Sequence, residues 1–125
     1  MNSIKARLGI VTSWLADDHC DILLIQETKS QDMNFPITAF EHIGWNVVFH
    51  GQKSYNGVAI ASRRKIEDVE YGLPGDDSDE HARYMEATID GIRVATIYLP
   101  NGNPAPGPKF DYKLKWLYRL EARAA

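Results

Sequence analysis

The residues best placed to do chemistry stand at the end of one short apolar run. Asp21-Ile22-Leu23-Leu24-Ile25-Gln26-Glu27-Thr28-Lys29 passes from four aliphatic side chains straight to an amide, a carboxylate, a hydroxyl and an ammonium, with no turn signal between. Ile22–Ile25 reads as a buried central strand, because it is short, aliphatic and too brief for a core helix. In layered α/β and α+β folds, ligands and metals sit at the ends of buried strands, where the sheet holds side chains rigidly. Glu27 is therefore a candidate ligand for a hard cation such as Mg²⁺, which prefers oxygen donors. The alternative is that Gln26 and Glu27 are simply the polar cap of a core strand.

Other chemically able residues point less clearly. Asp76, Asp77, Asp79 and Glu80 form an acidic run. It lacks the glycine and the distal glutamate of an EF-hand loop, so it reads as a solvated acidic loop. His19, His42, His50 and His81 have no metal-ligand spacing, which leaves zinc unsupported. His50 suits structural hydrogen bonding, and Cys20, just before the strand, a small buried hydrophobe. Trp14 and Trp45 suit core or half-buried positions, and Trp116 could face either side of its helix. Neither a phosphate-cradling glycine loop nor a serine-nucleophile motif occurs.

A chain of 125 residues can bury one real core but not two comfortable ones, which suggests a single domain. Its 44% apolar and 25% charged content is that of an ordinary globular protein and argues against disorder. No apolar run approaches a membrane span, and the opening residues lack a signal-peptide pattern. The lone cysteine cannot form an internal disulfide, which points to a reducing cytoplasm. A net charge of −3 counts mildly against a nucleic-acid binder, yet a local basic path would suffice for one.

The elements that must position these residues follow from periodicity and punctuation. Asn2 or Ser3 suits a helix cap, and Ile4, Leu8, Val11, Trp14 and Leu15 recur at helical spacing, predicting a helix over 3–18. After the polar loop 30–34, Pro36 opens a short helix over 37–43 that Gly44 stops. Trp45–His50 is a strand, followed by the turn-rich Gly51–Gly57 loop. Val58–Ser62 reads as a second strand, and Ile66–Val69, after Arg63-Arg64-Lys65, as a short third. Strands joined by connections of this length are most simply an antiparallel hairpin. Arg83–Ile89 alternates with Met85, Ala87 and Ile89 on one face, turns at Asp90-Gly91 and returns as Ile92–Tyr98. Prolines 100, 104, 106 and 108 keep the next stretch irregular. Phe110, Leu114, Leu117 and Leu120 then mark a final amphipathic helix over about 109–123. This order implies an α+β layered domain, a mixed sheet covered by helices.

Four stretches, in order, resemble the exonuclease III family of abasic-site endonucleases within the endonuclease/exonuclease/phosphatase superfamily. Gln26-Glu27-Thr28-Lys29 resembles its metal-site motif, and His50-Gly51-Gln52-Lys53-Ser54-Tyr55-Asn56-Gly57-Val58-Ala59 its following loop and strand. Tyr98-Leu99-Pro100-Asn101-Gly102 resembles its tyrosine-bearing strand end, and Asn2-Ser3-Ile4-Lys5-Ala6-Arg7 the tail of its opening motif. The resemblance implies a layered sandwich of the DNase I-like type, of which this chain supplies roughly one half and about one of two sheets. Residues 1–125 then form a single partial domain, the N-terminal half. Family members begin with a strand ending in a metal-site asparagine, whereas Asn2 matches only the second asparagine of that motif. Their later Gly-Asp-x-Asn and Asp-His motifs have no counterpart here, since Gly75-Asp76-Asp77 lies in the wrong place.

What the resemblance implies is a Mg²⁺- or Mn²⁺-dependent DNA phosphodiesterase of base-excision repair, acting as 3′–5′ exodeoxyribonuclease and abasic-site endonuclease. Glu27 would hold the metal that polarises the phosphate, and Tyr98 would contact a phosphate oxygen or assist the transition state. Lys29, Tyr55, Arg83 and Asn101 fall where the family touches DNA, although each also has a plain reading as a solvated or hairpin residue. The implied partner is double-stranded DNA, especially abasic sites and 3′ ends; the full enzyme is expected to be a cytoplasmic monomer. The residues that activate water are missing, so the chain alone is expected to be inactive or nearly so. Two alternatives stay open: a superfamily phosphodiesterase acting on phospholipid or inositol phosphate, and a non-catalytic binding module.

Overall fold

The computed structural model describes residues 2–52, 55–76, 78–103 and 106–124. In chain order the elements are α1 (Leu8–Ala16), β1 (Ile22–Gln26), α2 (Ile37–His42), β2 (Asn46–His50), β3 (Val58–Ser62), β4 (Glu67–Tyr71), β5 (Tyr84–Ile89), β6 (Ile92–Ile97) and α3 (Pro108–Ala124). The expected elements are all present, with ends shifted by a few residues. The largest shift is at the first helix: the chain makes only turns before Leu8, and Ser3 Oγ accepts from Ala6 N–H at 3.3 Å. Lys53, Ser54, Asp77 and Pro104, which fall in the expected loops, lie outside the described residues.

The strands form two antiparallel three-stranded sheets, ordered β1-β3-β2 and β4-β5-β6, rather than one mixed sheet. β2 and β3 make the expected hairpin, in register from Asn46 opposite Ser62 to His50 opposite Val58. After Arg63-Arg64-Lys65, however, the chain crosses to the other layer, and β4 pairs with β5 instead of β3. β5 and β6 form the predicted tight hairpin: Asp90 and Gly91 take φ 51° and 76°, the left-handed pair that a two-residue turn between twisted strands demands.

Side-chain alternation builds the layers. On β3, Val58 and Ile60 face β5's Met85, Ala87 and Ile89, forming the core between the sheets. Ala59 and Ala61 face the other way, into a core with Leu15, Phe40 and Trp45 under α1 and α2. β3 is buried on both faces along its whole length, which is why its sequence is a nearly unbroken apolar run. On the outside of the second sheet, α3 lays Trp116 and Leu120 over Tyr84 and Leu73. The result is a layered α/β/β/α sandwich, and the inter-sheet layer reaches the strand ends where Gln26 and Tyr98 sit.

The buried face of α3 differs from the expected one. Trp116 is 1% exposed, whereas Leu114 is 39% exposed. Tyr112, Trp116 and Leu120 repeat every four residues and face the sheet, so the helix docks along an i, i+4 row. No described helix is long and apolar enough to cross a membrane.

Candidate active site

β1 and β6 belong to different sheets, yet their ends meet. Strict alternation would turn Glu27, one residue after inward-facing Gln26, toward the helix-covered side. Its φ of 59° ends the extended run instead. Glu27 O accepts from Ser3 N–H at 2.8 Å and Thr28 O from Ile4 N–H at 2.9 Å, which pins this irregular backbone to the opening segment. The Tyr98 phenol, from just past β6, donates to Glu27 Oε1.

Electrostatics fixes the protonation of this pair. The Tyr98 hydrogen bond holds the Glu27 carboxyl below its usual range, outweighing the opposing effect of burial. The same bond, followed by burial and the Glu27 charge, pushes the Tyr98 phenol above 10. Near neutral pH, Glu27 is therefore an ionised acceptor and Tyr98 a neutral donor. Among the described residues no three His, Cys, Asp or Glu gather around one point. One ionised carboxylate is compatible with a weak, largely hydrated Mg²⁺ or Mn²⁺ contact and does not fit a closed cage.

Lys29 adjoins this pair along the chain. Its Nζ donates to Asn2 Oδ1 at 2.5 Å, and its backbone has φ 50°. Thr28 and Lys29 N–H donate to the carbonyls of Gly57 and Asn56 at 3.2 and 2.9 Å. These bonds fasten the 51–57 loop beside the strand end, where Tyr55 stands 70% exposed. On its other side the loop is stapled to the residues before β5. Gln52 Oε1 accepts from Asn56 Nδ2 at 3.0 Å and Ala82 N–H at 2.7 Å, and Gly57 N–H donates to Ala82 O at 2.8 Å.

Arg83 touches the central pair directly. Its guanidinium lies 5.2 Å from the Tyr98 ring centroid, and its carbonyl accepts Tyr98 N–H at 2.7 Å. Asn101, exposed beyond β6, helps line a cleft of about 330 Å³ with Arg83, His81, Lys109 and Tyr112. Glu27, Tyr98, Arg83 and Lys29 thus come together at adjoining strand ends, while Tyr55 and Asn101 stand on flanking loops.

Several contacts in this region carried no sequence signal. Gln52 and Asn56 lay inside the quoted loop motif without an assigned role. Asp79, expected in a solvated acidic loop, has a side chain only 6% exposed, and its Oδ2 accepts from Arg119 and Tyr112 at 2.7 Å each. The helix expected to cover the sheet supplies both donors, and without α3 in place the acidic run resembles any surface loop. His50 stacks edge-on against Tyr71 at 5.9 Å, and burial lowers its pKa despite nearby Asp32.

Known proteins are similar to this chain in sequence and fold. Exodeoxyribonuclease III of Haemophilus influenzae is 29% identical over 126 aligned residues, which take in 97% of this chain and 47% of its own. An AP endonuclease from Archaeoglobus fulgidus superposes with a TM-score of 0.90 and 48% identity, over 95% of this chain and 46% of that one. The Neisseria 3′ phosphatase NExo, in a structure bound to a product DNA hairpin, gives a TM-score of 0.92 at 44% identity, again over 95% and 46%. The chain spans less than half the length of each of these relatives. Its layered sheets are those of the DNase I-like exonucleases and AP endonucleases. With the family pattern matched from residue 2 to residue 125, the chain belongs to the endonuclease/exonuclease/phosphatase family.

Proposed function

We propose that this chain carries the metal-glutamate portion of a divalent-metal-dependent DNA phosphodiesterase of the exonuclease III type, serving base-excision repair in the cytoplasm. The observation that carries the reading is the ionised Glu27 carboxylate held by the Tyr98 phenol where two facing sheets end. Phosphodiester hydrolysis needs charge neutralisation at the phosphoryl oxygens and groups fixed before the reaction begins. Glu27 would hold Mg²⁺ or Mn²⁺, and a bound ion supplies Lewis-acid polarisation of the phosphate. Tyr98 would offer its phenolic proton to a phosphate oxygen. Lys29 and Arg83 would pair with backbone phosphates, and Tyr55 and Asn101 would meet the duplex on either side. Duplex DNA with abasic sites or 3′ ends is the substrate class favoured by the names of the relatives.

The same geometry limits the chain by itself. One carboxylate binds Mg²⁺ weakly, because the ion gives up its water reluctantly. The 125-residue chain is therefore expected to bind Mn²⁺ and abasic duplex without incising it at an appreciable rate. Mn²⁺ should broaden the amide resonances around Glu27 and Tyr98, and Glu27→Gln should abolish the effect. Broadening that survives Glu27→Gln would refute the metal assignment. Incision of an abasic duplex in Mg²⁺ by the wild-type chain, lost in Glu27→Gln, would refute the expected inactivity.

A second reading, a non-catalytic DNA-binding module, is favoured by the lack of a multi-carboxylate cluster among the described residues. It predicts duplex binding that is indifferent to both metal and Glu27→Gln.

A further inference from the structure

Tyr98 reaches Glu27 from one residue past the end of β6. Its N–H still bonds Arg83 O, and its side chain packs on the edge of the inter-sheet core. Its ring also meets the guanidinium of Arg83, and that group is itself held from behind. Its carbon lies 5.7 Å from the Tyr112 ring centroid, its Nε donates to His81 Nδ1 at 3.3 Å, and the His81 and Tyr112 rings are 4.7 Å apart. Tyr112 belongs to α3, fourteen residues further along the chain than Tyr98.

Tyr112 is fixed in its turn. Its hydroxyl donates to Asp79 Oδ2 at 2.7 Å, and Arg119, about two turns along the same helix face, donates to the same oxygen at 2.7 Å. Arg119 also donates to the carbonyls of Pro74 and Leu73, so α3 is clamped to the 73–79 loop at several points. Burial and the bond to Asp79 push the Tyr112 phenol well above 10, which keeps it a neutral donor. A cation over an aromatic face attracts the ring, and more strongly as water is excluded, so a guanidinium shared by two rings couples their positions.

We propose that Tyr112 is a positioning residue for Tyr98, its ring acting through the Arg83 guanidinium to hold the phenol on the Glu27 carboxylate. A helix outside the strand-end site would thus set the geometry of its central hydrogen bond. The inference rests on the functional reading above for its significance, but not for its test, which needs neither metal, DNA nor turnover.

The experiment uses the whole chain with ¹³C at the ζ carbon of tyrosine, whose shift follows hydrogen bonding of the phenol. Tyr98→Phe assigns the Tyr98 signal among the six tyrosines, and Glu27→Gln sets the displacement for a weakened bond. Tyr112→Leu should move the Tyr98 signal by at least half that displacement, with the amide spectrum of β1–β3 unchanged. Tyr112→Phe keeps the ring and loses only the bond to Asp79, and should leave the signal in place, which assigns the effect to the ring rather than to the hydroxyl. If Tyr112→Leu does not fold, Arg83→Leu removes the same bridge without touching the helix and should produce the same displacement. An unmoved Tyr98 signal in whichever of these folds overturns the proposal, as does equal displacement by Tyr112→Phe and Tyr112→Leu. Failure of Mn²⁺ to bind at Glu27 would refute the functional reading and leave this coupling intact.

Discussion

Gln26 and Thr96 face each other across the gap between the two sheets, the Gln26 amide donating to Thr96 Oγ1 at 2.8 Å. Thr96, 1% exposed, donates in turn to Ile25 O at 3.2 Å. This is a polar stitch in an otherwise apolar layer, directly below Glu27 and Tyr98, and it fixes the spacing of the two strand ends. Thr96→Val keeps the shape and removes the hydroxyl, stranding the Gln26 amide. We expect a loss of about 1–3 kcal/mol, the cost of leaving a buried polar group unpaired. Urea unfolding would read this as a lowered midpoint at unchanged slope. A midpoint equal to wild type would mean that the stitch contributes nothing.

Gly57 is where the Tyr55 loop presses against the strand end. It has φ 95°, and a β carbon there would collide with Thr28 Oγ1 and lie 3.2 Å from Lys29 N. Thr28 is itself 1% exposed and cannot swing away. Gly57→Ala therefore meets both a left-handed backbone and a fixed neighbour, and should cost about 2–4 kcal/mol. Gly72 supplies the control, since it has φ 83° but nothing within 4 Å of the added carbon. Gly72→Ala should carry only the backbone cost of about 1–2 kcal/mol. Equal losses in thermal unfolding would show that contact with Thr28 is unimportant.

Beneath α3, Glu86 is 4% exposed and accepts from Arg123 Nε at 2.6 Å, Arg93 Nε at 2.8 Å and the Tyr84 hydroxyl at 3.1 Å. The Arg123 bond first, then those from Arg93 and Tyr84, outweigh burial and hold the carboxyl down at about 2. A carboxyl depressed in the folded state stabilises it fully above the ordinary value of 4.5, and that stability is lost as pH falls from there toward 2. Arg93 and Arg123 side chains are 37% and 36% exposed, so solvent screening reduces the effect to about 1–2 kcal/mol. Glu86→Gln should flatten the fall in stability between pH 4.5 and pH 2 while lowering stability at pH 7. An unchanged acid slope would place the acid sensitivity elsewhere.

Local pattern made the elements legible, and resemblance marked the strand-end residues. Ile22–Ile25, Val58–Ser62 and the Asp90-Gly91 hairpin follow from runs and turns of a few residues. Which sheet a strand joins depends on partners far along the chain, so the crossover after Lys65 was invisible. Glu27 and Tyr98 carry motif signals, but their meeting depends on a left-handed residue and on a bond across 71 positions. The contacts of Tyr112 and Arg119 with Asp79, and of Thr96 with Gln26, likewise join residues far apart in the chain. No window of sequence contains both partners.

The docking of α3 offers a last discrimination. Spacing of leucines favoured a face through Leu114, but an aromatic side chain removes more apolar surface from water than a leucine and dominates the choice of buried row. Trp116 is accordingly buried against Leu73 and Tyr84, flanked by Tyr112 and Leu120. Trp116→Ala leaves a large cavity at the centre of that contact and should cost about 3–5 kcal/mol. Leu114→Ala, at a position 39% exposed, should cost under about 1 kcal/mol. Because Tyr112 and Arg119 share the helix, Trp116→Ala should also release the Asp79 contacts and raise amide exchange along α3 ahead of β3. A larger loss from Leu114→Ala than from Trp116→Ala would reverse the orientation of the helix and, with it, the path from Asp79 through Tyr112 to the strand ends.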